Sequence, residues 1–524
     1  MSTAGRKRVL WVDDEIEFLR SHIMFLETRG YSVIPVFSGD DALALLREGE
    51  HRIDIVLLDE QMPGKDGLTT LEEIKELLPQ LPVVMVTKSE EEQVMEDALG
   101  KKIDGYLTKP VNPSQILSVC KTLLDSRRIL SAQVTRRFIR HYSDNRAALS
   151  RDLSGSEWIN LYRNLVHWDF ELEKTDDEGL RQNHAGQKSD CNAAFARFIM
   201  DNYAFWVKGD NKPPLFSNKV VERAVVPLLQ EGKNVFFLVM DCMRLDQYLA
   251  IEDFLKELYD IRCGHYYSIL PTATRFSRRS LFSGLMPDDI AQAYPAFLEE
   301  HAGHVTGLPG YEQQMLRDNL NRCGLSIDTD LSFASLGDTG EALRFLDGID
   351  SLAGKRLVTV VVDCMHLLAQ SRSTSSVVRE LAPDETSFRA LTRSWFRYSV
   401  LLQIIRALAE RDCTLVLTAD HGSMLCSRGT ELYGSTDLEA DLRFKAGEGI
   451  SSDERHSLCI SSPAQYRLPA SEEMTTCLLA REDYYFITPD SFHNYQNQYR
   501  NSFYYGGVSM EEMIVPFAVM NPRR

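Results

Sequence analysis

No stretch of this 524-residue chain stays apolar over the about 20 residues that a membrane crossing needs. The first apolar run, Val9 to Val12, is cut short by Asp13 and Asp14, which excludes a signal-peptide core. Positive charge is in deficit: 58 Lys and Arg face 76 Asp and Glu, a net charge of −18. That argues against a protein that grips DNA regardless of sequence, and no helix-turn-helix pattern is recognisable. Ten cysteines show neither pairing nor CxxC spacing, so a disulfide scaffold and a thiolate zinc ribbon are both excluded. Cys242 and Cys364 each follow an aspartate and read as small core fillers. A reduced, cytoplasmic protein is expected.

What the chain does have is three strongly apolar runs that each end on an aspartate: Asn234–Asp241, Arg356–Asp363 and Cys413–Asp420. A run apolar on both faces predicts a strand buried inside a parallel sheet. Ligands of such sheets gather beyond the carboxyl ends of the strands. His366 and His421 stand close behind two of these aspartates, a combination that points to a metal.

The expected fold class is α/β, in three parts. Residues 1–124 alternate strands (Arg8–Val12, Ser32–Val36, Ile53–Leu58, Pro82–Thr87, Gly105–Thr108) with helices such as Asp40–Arg47 and Leu68–Leu77, a doubly wound five-stranded domain. Residues 125–210 read as a helical connector, with a capping box at Ser154 and Glu157 ahead of the buried face Trp158, Leu161, Tyr162, Leu165 and Val166. Residues 211–524 form a larger α/β domain, in which about 288–350 fit the strand and helix pattern poorly and suggest an inserted cap.

In the first domain Asp13, Asp14 and Asp59 all end strands and should meet at one sheet edge. Clustered acids repel unless a hard cation neutralises them, and Mg²⁺ suits oxygen ligands. Thr87 and Lys109, also at strand ends, can grip the oxygens of an acyl phosphate. With Pro110 after Lys109 and the run Leu57 to Gly67, these residues make the domain resemble the receiver of two-component response regulators. The resemblance implies Asp59 as phosphoacceptor and Tyr106 as the switch aromatic.

In the third domain Asp241, Asp363, His366, Asp420 and His421 mix nitrogen with hard oxygen, a set suited to Zn²⁺ or Mn²⁺. Two such ions can clamp the attacking and leaving oxygens of a displacement at phosphorus. Thr272 and Thr274, between the first two aspartate strands, are candidate nucleophiles. A helix starting just behind them would favour bound phosphate. Asp241 to Asp246, Leu270 to Thr274, Asp363, Thr418 to Gly422 and Gly506 to Pro516 resemble the PglZ branch of the alkaline phosphatase superfamily. The resemblance implies one zinc on Asp241, the threonine, Asp420 and His421, and a second on Asp363, His366 and a further histidine. His493 is the nearest candidate and His456 the fallback, because Tyr504 and Tyr505 stand where relatives often carry a histidine before Gly506. Thr274, ten residues before Gly284, fits the family spacing better than Thr272. Arg244, Arg275 and Arg278 are candidate phosphate clamps, with ordinary surface arginines the competing reading.

The whole arrangement resembles the PorX family of response regulators. That implies a PorY-type sensor histidine kinase, a phosphorylation-dependent homodimer, and control of type IX secretion genes through an extracytoplasmic-function sigma factor. It also implies phosphodiesterase activity on cyclic or linear oligonucleotides. The alternative is a non-catalytic, metal-bound module that acts by binding a sigma factor or another protein.

Overall fold

The computed structural model describes residues 6–48, 52–88, 103–175, 177–209, 212–295, 309–327, 330–434, 441–469, 475–489 and 499–523. The chain forms two compact units, Met1–Ile139 and Arg140–Arg524. Among the described residues no helix is long and apolar enough to cross a membrane.

The first unit is a parallel sheet of five strands: β1 (Lys7–Val12), β2 (Tyr31–Val36), β3 (Ile55–Asp59), β4 (Val83–Thr87) and β5 (Gly105–Thr108), in the order β2-β1-β3-β4-β5. The strand period of two divides its apolar residues between two helical layers. Val9, Trp11, Ile55 and Leu57 meet helix α1 (Arg20–Glu27) and the start of α4 (Pro113–Ala148) through Leu26, Ile116 and Cys120. Leu10, Val12, Val56 and Leu58 meet α2 (Gly39–Glu48) and α3 (Gly67–Leu77) through Ala42, Leu43, Leu71 and Ile74.

The second unit is built on a six-stranded sheet. Its strands are β6 (Val235–Met240), β7 (Tyr259–Tyr267), β8 (Leu331–Leu336), β9 (Leu357–Val362), β10 (Thr414–Thr418) and β11 (Ile514–Pro522), ordered β7-β11-β10-β6-β9-β8. The three aspartate-ended runs are β6, β9 and β10, parallel and buried along their whole length. β8 falls within the segment expected to be an inserted cap. It is an edge strand of this sheet, and its serines at 332 and 335 hide the apolar signal that an interior strand shows. Residues between Met424 and Tyr504 add three small sheets.

The described residues of 125–209 are mostly helical. The capping box is present at the start of α5 (Gly155–Glu173), where the Ser154 hydroxyl accepts from the Glu157 N–H and the Glu157 carboxylate accepts from the Ser154 N–H. α5, α6 (Glu178–Trp206) and α7 (Leu245–Lys256), the helix that follows β6, share one continuous apolar core with the six-stranded sheet. Phe195 of α6 lies edge-on to Trp158 at 5.3 Å between ring centroids and stacks on Tyr267 of β7 at 6.1 Å. The Tyr267 hydroxyl in turn donates to the Gly155 carbonyl at 2.8 Å.

Phe195 is completely buried. Phe195→Ala should therefore destabilise the second unit by about 3–5 kcal/mol, measured by denaturant titration. A loss under about 1 kcal/mol would mean that these helices do not share the sheet's core.

Candidate functional site

Sheet register creates the site in each unit. In the first, Val12 pairs with Leu58, so the next residues, Asp13 and Asp59, emerge side by side. Asp14 follows, and ligand oxygens of all three lie within 4.8 Å of one another. Thr87 pairs with Thr108, which brings in Lys109. Its Nζ sits 2.9 Å from Asp13 Oδ2 and 2.9 Å from Asp59 Oδ2. Burial pushes the Asp59 carboxyl above its ordinary range; Lys109 opposes this, and Asp13 and Asp14 add to it. Lys109 is thus the resident counter-ion of an acid cluster whose chemistry suits a hard divalent cation such as Mg²⁺. Thr87 is buried and donates to the Glu60 carboxylate, a partner that the sequence did not suggest. Tyr106 is half-buried against the apolar layer that holds Met85.

In the second unit Met240 pairs with Val362, so Asp241 and Asp363 leave adjacent strands at one level. Thr418 pairs with Val239, which brings Asp420 to the same level. Asp241, Asp420 and His421 offer ligand atoms within 4.8 Å of one another, all of them buried. Asp420 Oδ1 accepts the N–H groups of Cys242 (3.1 Å) and His421 (2.9 Å), while its Oδ2 is buried with no hydrogen-bond partner. His421 Nδ1 lies 2.8 Å from the Gly422 carbonyl, which can only accept, so Nε2 is left with a lone pair. That atom is 3.2 Å from Thr274 Oγ1, 3.8 Å from Asp420 Oδ2 and 3.9 Å from Asp241 Oδ1. His366 Nδ1 is also buried without a hydrogen bond, 3.9 Å from Asp241 Oδ2. A bare carboxylate oxygen, a bare imidazole nitrogen on His366 and an imidazole nitrogen on His421 met only by a threonine hydroxyl, beside other carboxylates, suit a divalent ion such as zinc.

One cation stands among these acids. The Arg278 guanidinium lies 3.5 Å from Asp241, 3.4 Å from Asp363, 3.8 Å from Asp420 and 3.2 Å from Glu312. Burial raises the carboxyls of Asp420 and Asp363, with Asp241 adding to both. Burial would raise Asp241 as well, but Arg278, His366 and His421 together bring it below its ordinary range.

The two threonines part company. Thr274 opens helix α8 (Thr274–Ser283), and its hydroxyl is 3.4 Å from Asp241 Oδ1. Ala273 provides no capping side chain at that helix start. Thr272 is occupied elsewhere: it donates to the Gly507 carbonyl at 2.8 Å and accepts the Gly506 N–H at 3.2 Å, pinning the Gly506-Gly507 turn. Arg244 does not serve as the expected phosphate clamp. Its buried guanidinium pairs with Asp246 (2.8 Å) and Glu385 (2.6 Å), because an unpaired cation there would be costly. Arg275 reaches Asp441 at 3.0 Å over the rings of Phe276 and Phe444. His456 hydrogen-bonds Thr430 and stacks on Tyr484, and does not join the acid cluster. His493 lies outside the described residues. Tyr505 packs against both imidazoles, 4.8 Å from His421 and 5.5 Å from His366 between centroids. Glu312 was not legible from the sequence, since nothing in its helix marks it.

Backbone proximity fixes the loop that carries His421. A Cβ on Gly422 would lie 2.0 Å from the Glu511 carbonyl oxygen, so only glycine fits there.

A model of the response regulator receiver domain matches residues 9–121, and one of the PorX response regulator linker domain matches 128–207. A model of the BREX system PglZ alkaline phosphatase-like domain matches 220–520. The transcriptional regulatory protein ResD of Bacillus subtilis (strain 168) is 32% identical over 124 residues, covering 24% of this chain and 50% of ResD. AruR of Pseudomonas aeruginosa is 31% identical over 176 residues, 32% of this chain and 69% of AruR. The chain spans about half the length of the curated relatives it matches, as with ResD. A CheY-like receiver domain protein from Methanospirillum hungatei JF-1 is 31% identical to it, covering 24% of this chain and 98% of that one at a TM-score of 0.23.

Asp59 binds its proton more tightly folded than unfolded, so its contribution to stability is lost as pH rises through the folded value. In Mg²⁺-free buffer, stability should fall as pH climbs from about 4. Asp59→Asn should slow hydrogen exchange of the β1 and β3 amides at neutral pH. Unchanged or faster exchange would contradict the repulsion described.

Proposed function

The chain belongs to the PglZ alkaline phosphatase-like family, and from that premise we propose that it is a phosphorylation-controlled, zinc-dependent phosphodiesterase acting on cyclic or linear oligonucleotides. The observation that carries this reading is the hydroxyl of Thr274 held between Asp241 and His421 at the uncapped start of α8. Asp241, Asp420 and His421 with Thr274 would hold one zinc ion; Asp363 and His366 would hold a second, with His493 the expected further ligand. Bound zinc supplies charge that neutralises the carboxylates and Lewis acidity toward a phosphoryl oxygen.

The chain's own groups do the rest. Free N–H groups at the start of α8 and the fork of Arg278 bind the non-bridging oxygens of the phosphodiester. Thr274 Oγ1 attacks phosphorus in line: its O–P bond forms as the bond to the leaving sugar oxygen breaks, the proton of the threonine hydroxyl passes to solvent, and solvent returns one to the leaving oxygen. Water then cleaves the threonine ester, releasing the phosphorylated fragment and restoring the hydroxyl. Asp420 Oδ1, tied down by two backbone N–H groups, and His421, fixed through Gly422, hold their positions throughout.

The receiver implies a phosphorylating sensor kinase, in this reading a PorY-type histidine kinase, that places a phosphoryl group on Asp59. A phosphoryl group there adds charge beside Lys109 and draws Thr87 from Glu60, biasing the β4 and β5 ends toward a homodimerising state. Control of type IX secretion genes through an extracytoplasmic-function sigma factor completes the proposal. A second reading, a non-catalytic metal-bound module that acts through that sigma factor, is favoured by Tyr505, whose ring covers both imidazoles.

Zinc-loaded protein should hydrolyse bis-p-nitrophenyl phosphate and a short cyclic oligoadenylate, and a chelator should abolish turnover. Thr274→Val should lose about 100-fold or more in kcat, while Thr272→Val retains most activity with lower stability. Wild type and both variants equally inert would sink the enzyme reading. Acetyl phosphate should shift the wild type toward dimer in size-exclusion chromatography, and Asp59→Ala should not respond. An unshifted wild type would count against control by dimerisation.

A further inference from the structure

Helix α9 (Pro309–Arg322), from the segment that looked like an inserted cap, is fastened along α8 at both ends. At the far end of α8, Gly284 adopts φ +71°, and a Cβ there would lie 2.4 Å from Asn319 Oδ1. Asn319 Nδ2 donates to the Phe282 carbonyl at 3.0 Å, and Arg322 donates to the Ser283 carbonyl. In its first turn α9 sends Glu312, 4% exposed, to Arg278 Nε at 3.2 Å. A carboxylate this deeply buried is costly unless paired, and Arg278 is the cation it meets. The terminal nitrogen Nη1 of the same guanidinium faces Asp241 and Asp363. Arg278 is therefore ion-paired on its Nε edge by Glu312, without a hydrogen bond from Nε itself, and its tip turns toward Asp241 and Asp363.

Building on the phosphodiesterase reading, we propose that Glu312 is a positioning residue: it holds Arg278 from behind so that the guanidinium tip is presented to a phosphate oxygen. Once cations neutralise Asp241, Asp363 and Asp420, those acids no longer hold the tip, and Glu312 is the carboxylate that keeps the side chain aimed. A guanidinium fork recognises phosphate through two parallel N–H bonds, so its value depends on that aim. Glu312 neither touches substrate nor ligates the metal; it acts through Arg278.

The test uses the full chain saturated with zinc, with Glu312→Gln, Arg278→Gln and the double variant. Inorganic phosphate is titrated calorimetrically, and KM and kcat are measured on bis-p-nitrophenyl phosphate. Glu312→Gln should weaken phosphate binding and raise KM by about tenfold while moving kcat much less. Zinc stoichiometry by native mass spectrometry should match wild type, and the melting temperature should fall without loss of the folded state at the assay temperature. In the Arg278→Gln background Glu312→Gln should change nothing further. Wild-type affinity in Glu312→Gln, a full additional loss in the double variant, or a missing zinc equivalent would each overturn the proposal. So would a wild type that binds no phosphate. A wild type without turnover, whose phosphate binding still depends on both residues, would sink the phosphodiesterase reading and leave this one standing.

Discussion

Carboxylates brought together at the end of a parallel sheet repel one another, and burial strengthens that repulsion because little solvent remains to screen it. Both units of this chain place acids in that position, and in both the surrounding structure is organised around their neutralisation. In the receiver a lysine at the end of β5 spans Asp13 and Asp59. In the larger unit an arginine from α8 stands among Asp241, Asp363, Asp420 and Glu312. A fixed cation on a side chain lets each sheet fold around acids that a divalent ion suits. It also lies beside the place where an incoming phosphoryl oxygen needs a positive partner.

The loops of the larger site are held by a second layer of buried charge. Lys188 of α6 pairs with Glu385, which pairs with Arg244, three residues beyond Asp241. Arg389 closes the circuit between Asp246 and Glu173 of α5. Asn192 of α6 donates to Glu511 and accepts from the Met510 N–H, next to the carbonyl that abuts Gly422. Helices α5 and α6 thus bear on the loops that carry Asp241 and His421, through groups whose pairing is obligatory at that depth.

Interior strands announce themselves because both faces are covered and every residue is apolar, which is why β6, β9 and β10 were legible with their terminal aspartates. Strand ends then do the rest: once the strands are parallel and in register, their C-terminal residues must meet. Edge and antiparallel strands carry no such run. β8 is interrupted by Ser332 and Ser335, and β11 contains Pro516, so neither stood out. Contacts that depend on how a helix packs were equally hidden. Glu312 has no local signal, and Arg244 reads in sequence like a phosphate ligand although its guanidinium is walled in. Thr272 and Thr274 stand two residues apart in one motif; only the folded backbone turns one toward Gly507 and the other toward Asp241 and His421.

The position of β11 has a bearing on how the protein is made. It lies inside the six-stranded sheet, between β7 and β10, yet both of those strands are synthesised long before it. Residues just ahead of it, Glu511 and Gly507, also back the loops that carry His421 and Thr272. On the ribosome the sheet therefore waits with an open seam, and the loop that carries His421 lacks its backing until residues 506–522 have emerged. Nascent or prematurely ended chains would carry a complete receiver and an unfinished second unit.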